Sequence, residues 1–354
     1  MLTRVCLTVA ALALGCTCSA AQQPFYAGKQ LTILVNYDAG GPTDLEARVF
    51  SRHIGKHIPG NPRIIVQNMG GAGGIVGTKF LGEVGPRDGT MVGYFTASTQ
   101  RYVTNPDRFK VDFRTYEFIA VLPSGRIHFM RTDIKPGMKS AADVIRGEDI
   151  IVGGLQRDGP KDVAMRLTLD MLGARYRYVT GYNSSAQAMI ALQRGEFNYY
   201  ADSPPLYKTK IEPLVKAGTL LPVFYDPQYD GRDFSVPLYM KNYSIKPFHE
   251  LYRSIKGTLP SGQLWEAYKS LLLTNGTMYR QIVLPPAAPK AAVEVLRAAV
   301  VKLANDRDYV SEATKVMGEA PEYVTSASLN DDVRKALSIS PELKAFMTAY
   351  GKGK

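Results

Sequence analysis

Six times between Leu31 and Ser203 the chain runs a short β-rich segment into a loop of Gly, Ser, Thr, Asn or Asp, and four of those loops open into helical periodicity. The β-rich segments are "LTILVNY", "RIIVQN", "TMVGYFTAS", "DIIVGGL", "RYVTGY" and "EFNYYAD". The loops after them cover 38–44, 69–74, 96–99, 155–161, 181–185 and 202–203, and helical spacing follows over 45–58, 74–84, 161–172 and 186–194. Strand, loop, helix, strand in that order needs crossover connections, which build mainly parallel sheets in an α/β protein. The order also says where to look for a site. In open α/β sheets ligands bind beyond the carboxyl ends of the strands, where these loops expose backbone N–H groups and hydroxyls.

The first twenty residues, "MLTRVCLTVAALALGCTCSA", combine Arg4, a short apolar run and small residues at Ser19, Ala20 and Ala21. That is the pattern of a secretory signal peptide cleaved after Ala20 or Ala21, and the run is too short for a membrane span of about 20 apolar residues. Gly15-Cys16 would suit lipoprotein processing, but Ala13 stands where a Leu is usually expected. All three cysteines, Cys6, Cys16 and Cys18, lie in this segment, so the remaining chain has no disulfide, thiolate metal site or Cys nucleophile. A cysteine-free exported chain suits the bacterial periplasm, and a soluble monomer is expected.

Two stretches, 123–137 and 222–244, interrupt the rhythm with turn-rich, aromatic sequence. The segments fit a first lobe over 24–124 plus 280–354 and a second over 125–279, after a signal peptide at 1–20. A chain of 354 residues with net charge +11, or +10 without Arg4, has no run of five basic residues. General attraction for anions is the reading, and nucleic acid is not an expected partner.

Each motif has a plain alternative. In "ILVNYDAGGPTD", Thr43 and Glu46 have capping-box spacing, with Leu45, Val49 and Ile54 on the apolar face of the helix that follows. Gly41 is expected to need a positive φ. The loop could cradle an anion or be only a tight turn. "NMGGAGGIVG" lacks the acidic residue that a dinucleotide site needs on the next strand, so no cofactor is expected. His53 and His57 are four apart but sit without a third ligand, and His128 and His249 are isolated, so no metal site is expected. With no G-x-S-x-G elbow and no thiol, no catalytic residue and no enzyme activity are expected. Arg157, in "GGLQRDGPKD", is either a carboxylate anchor before a helix or a surface residue paired with Asp158. Ser184 or Ser185 would cap the helix after "YVTGYN".

"VNYDAGGPTDLEARVFSRHI", "VQNMGGAGGIVGT", "PRDGTMVG", "VGGLQRDGPKD" and "YVTGYNSSAQAMIALQRGEFNYYAD", in this order and spacing, resemble the extracytoplasmic solute receptors of tripartite tricarboxylate transporters, the Bug-type, TctC-like periplasmic binding proteins. The resemblance covers most of residues 26–205 and the rest more loosely. It implies a type II periplasmic-binding-protein-like fold, with two doubly wound α/β lobes closing on a small carboxylated solute that membrane subunits of a tripartite transporter receive. A periplasmic sensor subunit would use the same lobes. By position it places ligand contacts at Asp38, Ala39, Gly40, Gly41, Thr43 and Asp44, and at Gly70, Gly71, Ala72 and Gly73. It adds Thr96, Ala97 and Ser98, then Gly159, Tyr182, Ser184 and Asp202, with Arg157 supplied by the reading above. Asp38 and Pro42 depart from the family's small-Pro-Gly-Gly-Gly-Thr-Asp loop, which weakens anion capture there.

Overall fold

The computed structural model describes residues 23–353 except Asn183 and Glu319, so the signal-peptide reading falls outside the described residues. Twelve strands are described: β1 Gln30–Val35, β2 Arg63–Asn68, β3 Met91–Thr96, β4 Glu117–Leu122, β5 Ile127–Arg131, β6 Ile150–Gly154, β7 Tyr176–Thr180, β8 Tyr199–Asp202, β9 Leu220–Tyr225, β10 Gln228–Tyr229, β11 Phe234–Ser235 and β12 Arg280–Leu284. Two five-stranded sheets form, in the orders β2-β1-β3-β12-β4 and β7-β6-β8-β5-β9, with β10 and β11 a separate hairpin. The chain therefore changes sheet between β4 and β5 and returns at β12.

The two sheets share one plan. In the first, β1 pairs parallel with β2 and β3, and β12 runs antiparallel between β3 and β4. In the second, β6 pairs parallel with β7 and β8, and β5 runs antiparallel between β8 and β9. Each antiparallel strand is the one that arrives from the other sheet, so the sheets are mixed where mainly parallel ones were expected. The register matters for function. Arg280, first in β12, lies opposite Thr96 and Leu122, and Ile127, first in β5, lies opposite Asp202 and Tyr225. The start of each crossing strand thus sits beside the carboxyl ends of its parallel neighbours.

The strands β5, β9 and β12 lie outside the β-rich segments read from sequence. The edge strand β9 contains Pro222, which an edge tolerates because no ladder N–H is needed there. Helices α1 Pro42–Ile54, α2 Ile75–Glu83, α3 Ser98–Thr104, α4 Pro160–Leu172 and α5 Ser185–Arg194 follow the strand ends. Ala47, Val49, Phe50 and Ile54 of α1 pack into one face of the first sheet with Leu296, Val300 and Tyr309. A second core is continuous from the other face of that sheet, through Phe95 and Phe118, to Phe129, Val152 and Leu167 in the second. The helix Pro341–Lys352 packs against both α3 and the helix Gln263–Leu271, tying the two halves together. Arg166 of α4 adds a bond to the Tyr350 carbonyl at 3.1 Å. Among the described residues no helix is long and apolar enough to cross a membrane.

Candidate ligand-binding site

A cavity of about 750 Å³ lies where the two sets of strand ends face each other. Its wall begins with two matching helix starts. Gly41-Pro42-Thr43-Asp44 opens α1 and Gly159-Pro160-Lys161-Asp162 opens α4, each with proline in the first turn, where a missing N–H costs nothing. In both, the aspartate reaches back to hold the incoming loop. Asp44 accepts from Gly40 N at 2.8 Å, and Asp162 accepts from Leu155 N at 2.8 Å and the Tyr178 hydroxyl at 2.9 Å. Asp44 also accepts from Arg48 and Asn68, and although burial opposes it, these bonds hold its pKa below the usual carboxylate value. Asp162 has no such surplus, and burial pushes its pKa up.

The capping-box expectation fails. Gly41 is the residue before α1, and no side chain caps it. The Thr43 hydroxyl instead meets the Thr96 hydroxyl at 2.9 Å, and Glu46 takes both Nε and Nη2 of Arg280, at 2.7 and 2.5 Å. Two further expectations need correcting. Gly41 has φ −81°, and the left-handed residue of the loop is Gly40 at φ +82°. Leu45 is exposed and lines the cavity, so the core face of α1 runs without it. Ser184 does cap α5, accepting from Gln187 N at 3.3 Å.

Of the residues singled out in sequence, Gly73, Thr96, Ala97, Gly159, Tyr182 and Asp202 line the cavity. The rest surround it. Asp38, Ala39, Gly40 and Gly41 are off the wall, and the Asp38 carboxylate lies so close over Gly70 that a Cβ there would be 2.1 Å from it. Gly71 and Ala72 lead into α2, also off the wall. Thr43, Asp44 and Ser98 are buried behind it, Ser98 bonded to Asn36 and Thr78. Arg157 is off the wall too. Its guanidinium lies 5.1 Å over the Tyr178 ring.

What sequence reasoning missed is the set of buried cations. Arg101, Arg126, Lys161 and Arg280 all line the cavity. Lys161 bonds Asp202 at 3.0 Å and the Tyr200 hydroxyl at 2.6 Å. Burial works against its charge, but the Asp202 carboxylate outweighs that and raises its pKa. Arg280 donates its third nitrogen to Thr96 at 2.8 Å, which fills its fork. Arg126 donates Nε to Asp226 at 2.6 Å and Nη1 to Asn275 at 3.0 Å, while its buried Nη2 has no hydrogen-bond partner among the described residues. Asp226 is held further by the Tyr268 hydroxyl at 2.6 Å and His128 at 3.1 Å. His128 is therefore not isolated, and burial lowers its pKa so that it sits neutral. Arg101 crosses from α3 to the β6–α4 loop, donating to Gln156 at 2.9 Å with Asp158 at 3.6 Å, and its buried Nε lacks a partner among the described residues. Gly73, at φ +65°, makes room for it, since a Cβ there would be 2.6 Å from Nη2. No local pattern in the sequence marks the three arginines, because their bonding partners lie far away along the chain.

His53 and His57 turn away from the cavity and bond Glu312 at 2.6 Å and Asp306 at 2.8 Å. No group of three or more metal-ligating residues occurs among the described residues.

No protein-family model matches the chain. A curated relative, the UPF0065 protein in the TAR-I ttuE-ttuC' intergenic region of Agrobacterium vitis, is 26% identical over 201 residues, 54% of this chain and 55% of its own length. A second, the UPF0065 protein in the gbd 5' region of Cupriavidus necator, is matched over 61% of its length, so the chain spans little more than half of these relatives. Among solved structures, a TctC solute binding protein from Polaromonas overlays 93% of this chain and all of its own at 19% identity, TM-score 0.65. The chain has the fold of the tripartite tricarboxylate receptor-type periplasmic binding proteins. A Rhodopseudomonas palustris protein with adipate overlays 92% of this chain and 98% of its own at 18% identity, TM-score 0.61. MatC of the same organism, with bound malate, overlays 90% and 98% at 16% identity, TM-score 0.58. The similar structures thus include a solute-binding protein and two proteins that hold small carboxylates.

Proposed function

We propose that this protein is a periplasmic solute-binding protein that captures a small carboxylated metabolite and presents it to membrane subunits of a tripartite tricarboxylate-type transporter. The observation that carries the reading is a cavity between two strand-end edges with buried guanidinium N–H donors, at Arg126 and Arg101, that have no partner among the described residues. A buried donor left unpaired costs about 1–3 kcal/mol, which a carboxylate would recover as charge-assisted bonds. Similarity of fold to proteins that hold malate and adipate supports the same ligand class. In this reading residues 24–124 with 280–354 and residues 125–279 act as two lobes that close on the solute, without breaking or making a covalent bond. The protein acts as a monomer, exported by a signal peptide over residues 1–20.

A thermal-shift screen tests it. A ligand at 100 times its dissociation constant should add about 2.7 kcal/mol of stability. Stabilisation by members of a carboxylic-acid panel, with none by NAD or ATP, is expected. A panel without effect, alongside a nucleotide that raises the melting temperature, would refute the reading.

A further inference from the structure

We infer that the solute is a monoanion, one carboxylate joined to a bulky apolar or aromatic body, an inference that rests on reading the cavity as a carboxylate site. The reason lies in how the cavity's charges are already spent. Arg280 is bonded to Glu46, Lys161 to Asp202 and Arg126 to Asp226. Arg101 alone has no closely bonded acid, its nearest being Asp158 at 3.6 Å, which is 40% exposed. Asp162 is a further acid on the wall.

No surplus of positive charge therefore waits for a second or third carboxylate. Placing an uncompensated carboxylate in such a site costs several kcal/mol, which is why buried charges are found paired. One carboxylate is different, because Arg126 and Arg101 each carry a buried N–H with no partner among the described residues, and a single carboxylate reaching them would satisfy donors that are otherwise unpaired. The loop that would otherwise supply backbone donors contributes less here. Pro42 has no N–H, and Gly40 N is bonded to Asp44. Apolar and aromatic side chains, among them Leu45, Leu155, Leu206, Met317, Tyr182 and Tyr279, make up much of the remaining wall, with polar groups of Thr96, Ser124, Gln156, Ser185, Ser203 and Asn275 between them. A volume of about 750 Å³ lies high in the range of roughly 300–1,000 Å³ that holds drug-sized molecules. A body that fills it must carry apolar surface.

Calorimetric titration of the purified protein with matched pairs decides the matter: octanoate against octanedioate, and 4-methylbenzoate against benzene-1,4-dicarboxylate. The monoacid of each pair should bind about tenfold or more tightly, equivalent to about 1.4 kcal/mol. A diacid that binds as well as or better than its monoacid in either pair overturns the inference and leaves the carboxylate reading standing. Silence from both pairs also overturns it, and the carboxylate reading falls as well only if the wider acid panel is silent. The anchor is tested with Arg126→Gln and, because that change touches a buried network, separately with Arg101→Gln. Each variant that keeps the wild-type circular dichroism spectrum should lose about tenfold or more in monoacid affinity. If both fold and bind like the parent, the charge argument is wrong.

Discussion

The two halves of the molecule solve one structural problem twice. In each, a Gly-Pro-x-Asp helix start faces the end of the third parallel strand, and the residue at x bonds across the gap. In the first half that bond joins two hydroxyls, Thr43 and Thr96. In the second it joins an ammonium to a carboxylate, Lys161 and Asp202, at the equivalent places. The crossing strands differ in the same spirit. The arginine at the start of β12 has its fork filled by Glu46 and Thr96, whereas the arginine just before β5 keeps one nitrogen without a partner among the described residues. Shared topology thus fixes where side chains converge, and local residue choice decides whether the convergence is closed or left open for a ligand.

The sharpest way to break this comparison is at the two arginines. Arg280→Met would strand Glu46, whose only bonded cation among the described residues is Arg280, and removing one partner of a buried pair costs about 3–5 kcal/mol. Arg126→Met leaves Asp226 with the Tyr268 hydroxyl and with His128, which can take up a proton. Urea denaturation should therefore show the larger loss at Arg280. Equal losses would mean that the closed and open forks are energetically alike.

Next in size is an exchange of one half's chemistry for the other's. Lys161→Thr alone leaves Asp202 buried beside uncharged neighbours, and a loss of about 3 kcal/mol is expected. Adding Asp202→Thr recreates the hydroxyl pair of the first half and should recover most of that loss, because a buried ion pair replaced as a unit is often neutral. A double-mutant cycle measures the coupling. If the double variant is as unstable as the sum of its parts, the two positions are not equivalent.

Much of the first half was legible because its strands alternate with loops and helices in sequence order, and its turn chemistry is written in Gly, Pro and Asp. Strands β5, β9 and β12 were not legible. Their partners are set by the crossing between sheets, and Pro222 disguises an edge strand. The cavity was legible as a place, through Thr96, Gly73, Gly159 and Asp202, but its cations were not. Arg101, Arg126 and Arg280 bond groups 55, 100 and 234 residues away, and no local pattern encodes such separations. Arg157 illustrates the converse. Its loop position looked right, yet the ring of Tyr178 holds it off the wall.

A smaller effect belongs to the second half alone, through its two histidines. His128 is buried against Asp226, Tyr199 and the Phe224 ring, with Arg126 close by, and burial lowers its pKa from 6.5. His249, stacked on Phe234, is lowered for the same reason. A base held neutral in the fold lets the unfolded chain bind more protons below pH 6.5, so stability should fall as pH drops from there toward the folded pKa. Asp202 and Asp226 have depressed pKa values, because Lys161 and Arg126 respectively outweigh burial. Their contribution is present above pH 3.8 and is lost as pH falls further, through the folded values. Two separate windows of acid loss follow. In the variant His128→Gln, denaturation midpoints between pH 6.5 and 3.8 should flatten while the loss below pH 3.8 persists. An unchanged slope in the upper window would remove His128 as its source.

The smallest expected change is Thr43→Ala, yet it bears on the same comparison. Loss of one buried hydroxyl bond costs about 0.5–1.5 kcal/mol, and loss of a helix cap costs about the same, so the single variant cannot say which role Thr43 has. The partner can. If Thr43 acts across the gap, as the 2.9 Å contact indicates, then Thr96→Ala removes the same bond, and the double variant should cost less than the two singles added together. Arg280 also donates to the Thr96 hydroxyl, so Thr96→Ala should be the costlier single change. Additive losses with Thr43→Ala the larger would return Thr43 to a capping role, and the hydroxyl pair would no longer be the counterpart of Lys161 and Asp202.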